Sequence, residues 1–413
     1  MVMEALRTDG WSNLIAGIGV KKKDKTENTY FVEDYILEDE DLSALYDGEG
    51  LAANIIDAVP DDMTRAGWTI ANDEKEKIQN EMKRIKAVYY LNKALKYARL
   101  YRGAIVVMIT ERGELDKPIP ANPGNVKRLR VYSAKRIILT STDIVEDPNS
   151  EYFDDVEIFH VLTRSGKMLD IHRSRCLWFG GELVSDDFEL DLTYQYWGLS
   201  TMQRIWARLK NYGAVERAVA NLLLEFNLGI YEFSNLAEIL AMNKEEMMSA
   251  VYTRLEAINA CKSMLNAVMI GEGESFTRDS ANLSGLADII DRMMINLTGV
   301  AKIPATKLFR RSPAGMNATG ESDITNYYDD VSTQQTQKLE PELQKLINVI
   351  GKAVYGSNKE NKYTITFNSL WEPTEKEKAE TKKLNAETHS TDIANQVIDA
   401  EESRKIRYPD LEV

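Results

Sequence analysis

Arg310 and Arg311 stand side by side in KIPATKLFRRSPAGMNATGESDITNYYDD (302–330), followed by Ser312, Pro313, Gly315, Met316, Asn317 and Gly320. Two guanidinium groups beside proline and glycine can hold a phosphate or line a surface that nucleic acid passes. They can also pair with acidic neighbours while the chain turns a corner. The chain carries 51 Lys+Arg against 65 Asp+Glu, a formal net charge of -14, so this basic spot sits on an acidic background.

Other residue types with chemical potential do not converge. Carboxylates occur in adjacent pairs at Asp61-Asp62, Asp154-Asp155, Asp186-Asp187 and Asp329-Asp330. A two-metal nuclease needs clustered carboxylates, but pairs of this kind read as solvated turns and helix starts. The histidines His160, His172 and His389 and the cysteines Cys176 and Cys261 lack zinc-ligand spacing. His160, between Phe159 and Val161, reads as a packed or edge histidine. No G-x-x-x-x-G-K-[ST], H-E-x-x-H or G-x-S-x-G occurs, which excludes a P-loop ATPase. GIGVKKK has the wrong order for a phosphate loop. No catalytic residue, metal or cofactor is expected.

Composition narrows the class further. A length of 413 residues suggests two or three domains or sub-regions, and 44% hydrophobic content is ample for packed cores. No apolar run reaches the roughly 18 residues of a membrane span, and the N-terminus does not read as a secretion signal. Two distant cysteines fit a reducing compartment. Tight DNA binding needs a basic surface, so this chain is expected to touch DNA at one small place at most.

The elements that must position the arginine loop follow from periodicity. Residues 1–30, with KKKDK at 21–25, read as a mobile arm. Leu51, Ile55, Ile56 and Val59 make an apolar helix face that Pro60 is expected to break. Residues 74–99 continue helically, and GAIVVMIT (103–110) reads as a buried strand. VKRLRVY, EIFHVLT and CLWFGG mark a sheet-rich stretch up to about 195. Ile205, Leu209, Tyr212, Val215, Val219, Leu222, Leu223 and Phe226 then mark a long helix capped by Ser200. Asn243 and Glu246 resemble a capping box. NAVMIGEGESFTR, containing Val268 and Ile270, reads as strand, turn and strand. Leu286, Ile289, Ile290, Met293, Met294 and Leu297 form the stripe of a further helix, capped by Ser284 and expected to end at Thr298-Gly299. A long helix kinked near Pro341 follows the arginine loop, with Thr319 as its cap. The strand YTITF and a charged helical segment from about 374 to 405 close the chain.

This order, together with particular stretches, resembles the portal proteins of tailed bacteriophages. YDGEGLAANIIDAVPDDMTRAGWTI (46–70), SGLADIIDRMMINLTGVAKIPATKLFRRSPAGMNATGESDITNYYDD (284–330), LWEPTEKEKAE (370–380) and VIDAEESRK (397–405) are similar to one portal subfamily with an LFxRSPAGMNATGESD-type loop. Arg310 is a departure, since glycine is expected after Leu-Phe.

The resemblance implies an α+β, ring-forming portal fold. Its parts would be a mobile arm (1–30), an N-terminal wing (31–198), a first stem helix (199–227), a clip (228–283) and a second stem helix (284–302). A tunnel loop (303–320), a kinked long helix with a wing strand (321–370) and a crown-like helical segment (371–413) would follow. Leu209, Val219, Leu223, Ile289 and Met293 would pack the stem, with Val268 and Ile270 in the clip. Arg310, Arg311, Ser312, Pro313, Gly315, Met316 and Asn317 would form the loop that meets DNA. The implied assembly is a homo-oligomeric ring, usually of twelve subunits, at one capsid vertex. It would conduct double-stranded DNA and meet the terminase large subunit, a head-tail adaptor and the major capsid protein or scaffold, with no membrane. It would be located in the virion, and in the host cytoplasm during assembly.

Overall fold

The computed structural model describes residues 36–185, 191–225, 228–232, 249, 253, 256, 275–279, 285–310, 321–356, 363–371, 375–395, 397 and 399. Contacts divide the chain into two units, Met1–Ile205 with Ala301–Val413 and Trp206–Val300.

The first unit begins with helices α1 (Asp39–Gly48) and α2 (Gly50–Arg65), strand β1 (Trp68–Ala71), and helices α3 (Lys77–Arg84) and α4 (Ala87–Tyr101). Along α2, Ala52, Ile55, Ile56, Val59 and Met63 recur at helical steps and are all buried. Pro60 does not break α2 as expected; the helix runs through it to Arg65. Proline leaves the Ile56 carbonyl without its helical donor, and the buried Arg99 of α4 supplies another. Arg99 Nε donates to Ile56 O at 3.2 Å and Nη2 to Ile55 O at 3.0 Å. The expected continuous helix over 74–99 is divided, because Lys86 adopts φ +56° between α3 and α4.

Among the described residues, seven strands precede the next helices. They continue as β2 (Gly103–Thr110), β3 (Val126–Ser133), β4 (Ile137–Ile138), β5 (Ile158–Leu162), β6 (Met168–His172) and β7 (Cys176–Gly180). Two antiparallel three-stranded sheets result, in orders β3-β2-β7 and β4-β5-β6. Ile105 and Val107 of β2 share a buried cluster with Phe159, Val161, Ile171 and Trp197. Trp197 ends α5 (Leu192–Trp197), and a Cβ added at Gly103 would fall 2.0 Å from its ring. Glycine is required there by this close approach.

Helix α6 (Thr201–Glu225) starts where Ser200 Oγ accepts the Met202 amide at 3.1 Å. In the second unit, β8 (Leu228–Glu232) pairs antiparallel with β9 (Ser275–Asp279), Leu228 opposite Asp279. Helix α7 (Leu286–Ala301) follows. It does not end at Thr298-Gly299 as expected but continues to Ala301. The stop comes from Lys302, at φ +54°, with Pro304 two residues on.

The first unit resumes with α8 (Ala305–Leu308), α9 (Glu321–Gln334), a π-helical turn (Gln335–Leu339) and α10 (Glu340–Tyr355). The irregularity expected near Pro341 is this wide turn, which directly precedes it. The turn presents buried Gln335, whose Nε2 donates to Met63 O in the last turn of α2 at 2.8 Å. Strand β10 (Thr364–Phe367) pairs antiparallel with β1, and α11 (Glu375–Ala394) follows. No described helix is long and apolar enough to cross a membrane. The arm 1–30, Asn243, Glu246, Val268, Ile270, Ser284 and Thr319 lie outside the described residues.

Candidate functional site

The last turn of α2 gathers charge that the sequence reading assigned to solvent. Asp62 is 3% exposed, not solvated. Lys307 Nζ on α8 lies 2.8 Å from its Oδ1 and 2.7 Å from its Oδ2. Tyr327 Oη on α9 donates to Oδ2 at 2.8 Å, and Arg65 Nε donates to Oδ1 at 2.8 Å. Arg65 continues the network by donating from Nη2 to Leu370 O at 2.5 Å and by lying over the Tyr328 ring. Burial, and then the Asp62 carboxylate, push the Tyr327 phenol above its usual pKa.

One carboxylate therefore holds both flanks of residues 311–320: α8 before them and α9 after them. The signal for this was present in the sequence. Asp62 follows Ile55 and Val59 at helical steps and falls on the buried stripe, while neighbouring Asp61 pairs with Lys96 at 2.9 Å and is half exposed. Ending α2 at Pro60 hid that phase.

Arg310 is exposed and adopts φ +55°, in the left-handed region that favours glycine. The position where glycine was expected is thus one whose backbone suits glycine. Arg311, Ser312, Pro313, Gly315, Met316 and Asn317 lie outside the described residues. Of the apolar residues assigned to helix packing, Leu209 is buried, Val219 and Met293 are half-buried, and Ile289 is 47% exposed. Leu223 lies on α6, with its side chain outside the described set.

His160, half-buried on the central strand β5 rather than at a sheet edge, has its Nδ1 2.7 Å from Asp170 Oδ1 and its Nε2 3.3 Å from Asp143 Oδ1. Burial pushes the Cys176 thiol up to about 12, which makes it a poor nucleophile. Among the described residues, no group of three His, Cys, Asp or Glu side chains is placed to hold a metal.

The described residues thus combine a mixed helix and sheet scaffold with long helices. The phage portal protein family matches residues 40–391, and this chain belongs to that family. Two curated relatives are both called Anti-CBASS protein Acb1. The one from Caulobacter sp. (strain RHG1) is 31% identical over 92% of this chain and 62% of its own length. The one from Sphingomonas paeninsulae is 26% identical over 92% of this chain and 61% of its own length. The chain thus spans about three-fifths of these relatives. Among solved structures, a chain from the neck of an empty GTA particle computed with C6 symmetry has a TM-score of 0.55 at 11% identity, covering 89% of this chain and 92% of that one. A chain from the neck of a native GTA particle computed with C12 symmetry gives 0.52 at 12% identity, covering 88% and 92%. These two likenesses support the portal-like fold.

Proposed function

We propose that twelve copies of this chain form a ring at one capsid vertex, the channel through which double-stranded DNA is packaged and ejected. The observation that carries this reading is the Asp62 clamp: both roots of the arginine-bearing loop are tied to one buried carboxylate. The tunnel loop is 303–320, of the LFxRSPAGMNATGESD type. Arg310 and Arg311 touch passing phosphates, and Ser312, Pro313, Gly315, Met316 and Asn317 form its tip. One or two arginines per subunit give a weak, sequence-blind contact. The chain's net charge of -14, about -170 over twelve copies, opposes tight binding and keeps sliding easy.

In this reading, Leu209, Val219, Leu223, Ile289 and Met293 pack the stem. Val268 and Ile270 belong to a clip that meets the terminase large subunit and a head-tail adaptor. The wing faces the major capsid protein or scaffold. The role is structural, in the virion and in the host cytoplasm during assembly, and needs no cofactor. The name of the longer relatives is not carried over to this chain.

Negative-stain microscopy of the purified chain tests the ring, and a ring with a central hole is expected. Arg310→Ala with Arg311→Ala, in an in vitro packaging system, tests the loop. Rings should form normally while packaged length or DNA retention changes. Solely monomeric protein would overturn the ring. Normal rings with normal packaging would reduce the loop to a corner, and lost rings would assign the arginines to assembly.

A further inference from the structure

The end of α2, Trp68, α3 and the start of α4 enclose an open groove of about 970 Å³. Two of its buried polar atoms, Trp68 Nε1 and Gln79 Oε1, have no hydrogen-bond partner among the described residues. Trp68 itself is only 3% exposed. Neither atom has accessible surface of its own, so what the groove offers an occupant lies in its exposed side chains. Val88 and Tyr89 line the same groove and are 45% and 59% exposed. Lys83 and Lys86 line it too, exposed and without an ion-pair partner among the described residues. An aromatic groove with two unpaired cations fits an extended, acidic peptide with apolar side chains.

We infer that the groove takes residues 30–35, YFVEDY, of a neighbouring copy of this chain. The inference rests on the ring reading above. Glu33 and Asp34 supply the missing charge, and Tyr30, Phe31, Val32 and Tyr35 supply the apolar and aromatic side chains. In its own chain this stretch leads to the far end of α4. There the Leu37 amide donates to Gln203 Oε1 at 2.8 Å, Asp39 pairs with Arg102, and Ser43 Oγ lies 3.0 Å from Tyr101 Oη. At ~1.5 Å per residue, Tyr89 and Tyr101 are about 18 Å apart along the helix. Val32 precedes Ile36 by about 14 Å of fully extended chain. Glu33, three residues before Ile36, reaches only about 11 Å, whereas Lys86 lies about 22 Å from Tyr101 along the helix; the stretch's own carboxylates therefore fall short of these cations, and a neighbour's supply the charge. Each copy gives one patch and receives a different one, the head-to-tail geometry that closes rings.

The test uses the full chain with Cys261→Ser, Phe31→Cys and Tyr89→Cys; Cys176 remains, buried. Oxidised rings run on a denaturing, non-reducing gel should give a ladder of covalent oligomers. Charge reversal by Lys83→Glu with Lys86→Glu should lower ladder yield about fivefold, and adding Glu33→Lys with Asp34→Lys should restore it. A disulfide confined to single chains would show that the stretch docks on its own copy and would overturn the inference. Intact rings by microscopy without any ladder would overturn the groove's occupant and leave the ring standing. Absence of rings before oxidation would overturn both. An unchanged ladder with weakened duplex-DNA binding in the charge-reversal variant would assign the groove to nucleic acid instead.

Discussion

The last turn of α2 and the exposed side of α7 treat side chains in opposite ways. On α2 a carboxylate is 3% exposed, and Lys307, Arg65 and Tyr327 satisfy it. On α7, Met294 and Leu297 are buried, but Ile289, Ile295 and Val300 are 47%, 40% and 40% exposed. Burying a charge is tolerated only where its partners are complete. Leaving three branched aliphatic residues in water on one helix forgoes burial that another surface can provide. The first region is finished within one chain, while the second is suited to being finished by another. That difference separates substitutions that unfold the chain from those that only prevent assembly.

Asp62→Ala should break the finished region most severely. It leaves Lys307 and the Tyr327 hydroxyl, both partly or wholly buried, without their acceptor. Removing one member of a buried pair costs about 3–5 kcal/mol, so urea unfolding should show a loss of that order. A loss below about 1 kcal/mol would mean that the network adds little and that the loop is rooted by other contacts.

Tyr327→Phe should cost less, about 1.5–3 kcal/mol for a hydrogen bond to a charged acceptor, and its cost should depend on pH. The folded phenol has a pKa raised by burial and by Asp62, whereas the unfolded tyrosine titrates near its usual value of 10.0. A raised folded value makes this contribution complete below about pH 10. It is then lost as pH rises toward the folded value. The stability gap between wild type and Tyr327→Phe should therefore narrow from about pH 9 to about pH 11. A gap that stays constant over that range would show that the phenol is not held by the carboxylate.

The same contrast explains what could be read in advance. GAIVVMIT was legible as a strand because a strand buried on both faces needs a continuous apolar run. The start of α6 was legible because Ser200 lies directly before the apolar period, where a side-chain oxygen can meet the Met202 amide. Asp62 was not recognised, because the continuation of α2 through Pro60 depends on Arg99, which lies 43 residues beyond the Ile56 carbonyl it satisfies. No local pattern reports a donor arriving from another helix. The extra turn of α7 was missed for a related reason: Gly299 permits a stop, but the stop comes from the left-handed Lys302 and the following proline. The stem and clip residues carry periodicity alone, which marks an apolar face without naming what covers it.

On α7, Ile289→Asp should cost the isolated chain only about 1 kcal/mol, since the side chain is already half in water and an acid suits the first turns of a helix. Large oligomers should nevertheless disappear on sizing chromatography, because a carboxylate would sit where an apolar contact is required. Intact large oligomers would show that this face stays in water and would weaken the stem assignment.

The smallest effect is expected at Arg310, beside the clamp but outside it. Its φ of +55° carries a strain of about 1–2 kcal/mol for a residue with a Cβ, which glycine does not experience. Glycine also loses more freedom on folding, about 0.5–1 kcal/mol, so the two terms nearly cancel. Arg310→Gly should therefore leave stability unchanged or raise it by up to about 1 kcal/mol, with ring formation intact and one guanidinium fewer in the loop. Since backbone strain favours glycine here, an arginine at this position has to be explained by what its side chain does. A loss above about 1 kcal/mol on Arg310→Gly would give it a structural partner and extend the finished region to the loop. A neutral result together with altered DNA retention would instead place Arg310 with α7, among residues whose role depends on something outside the single chain.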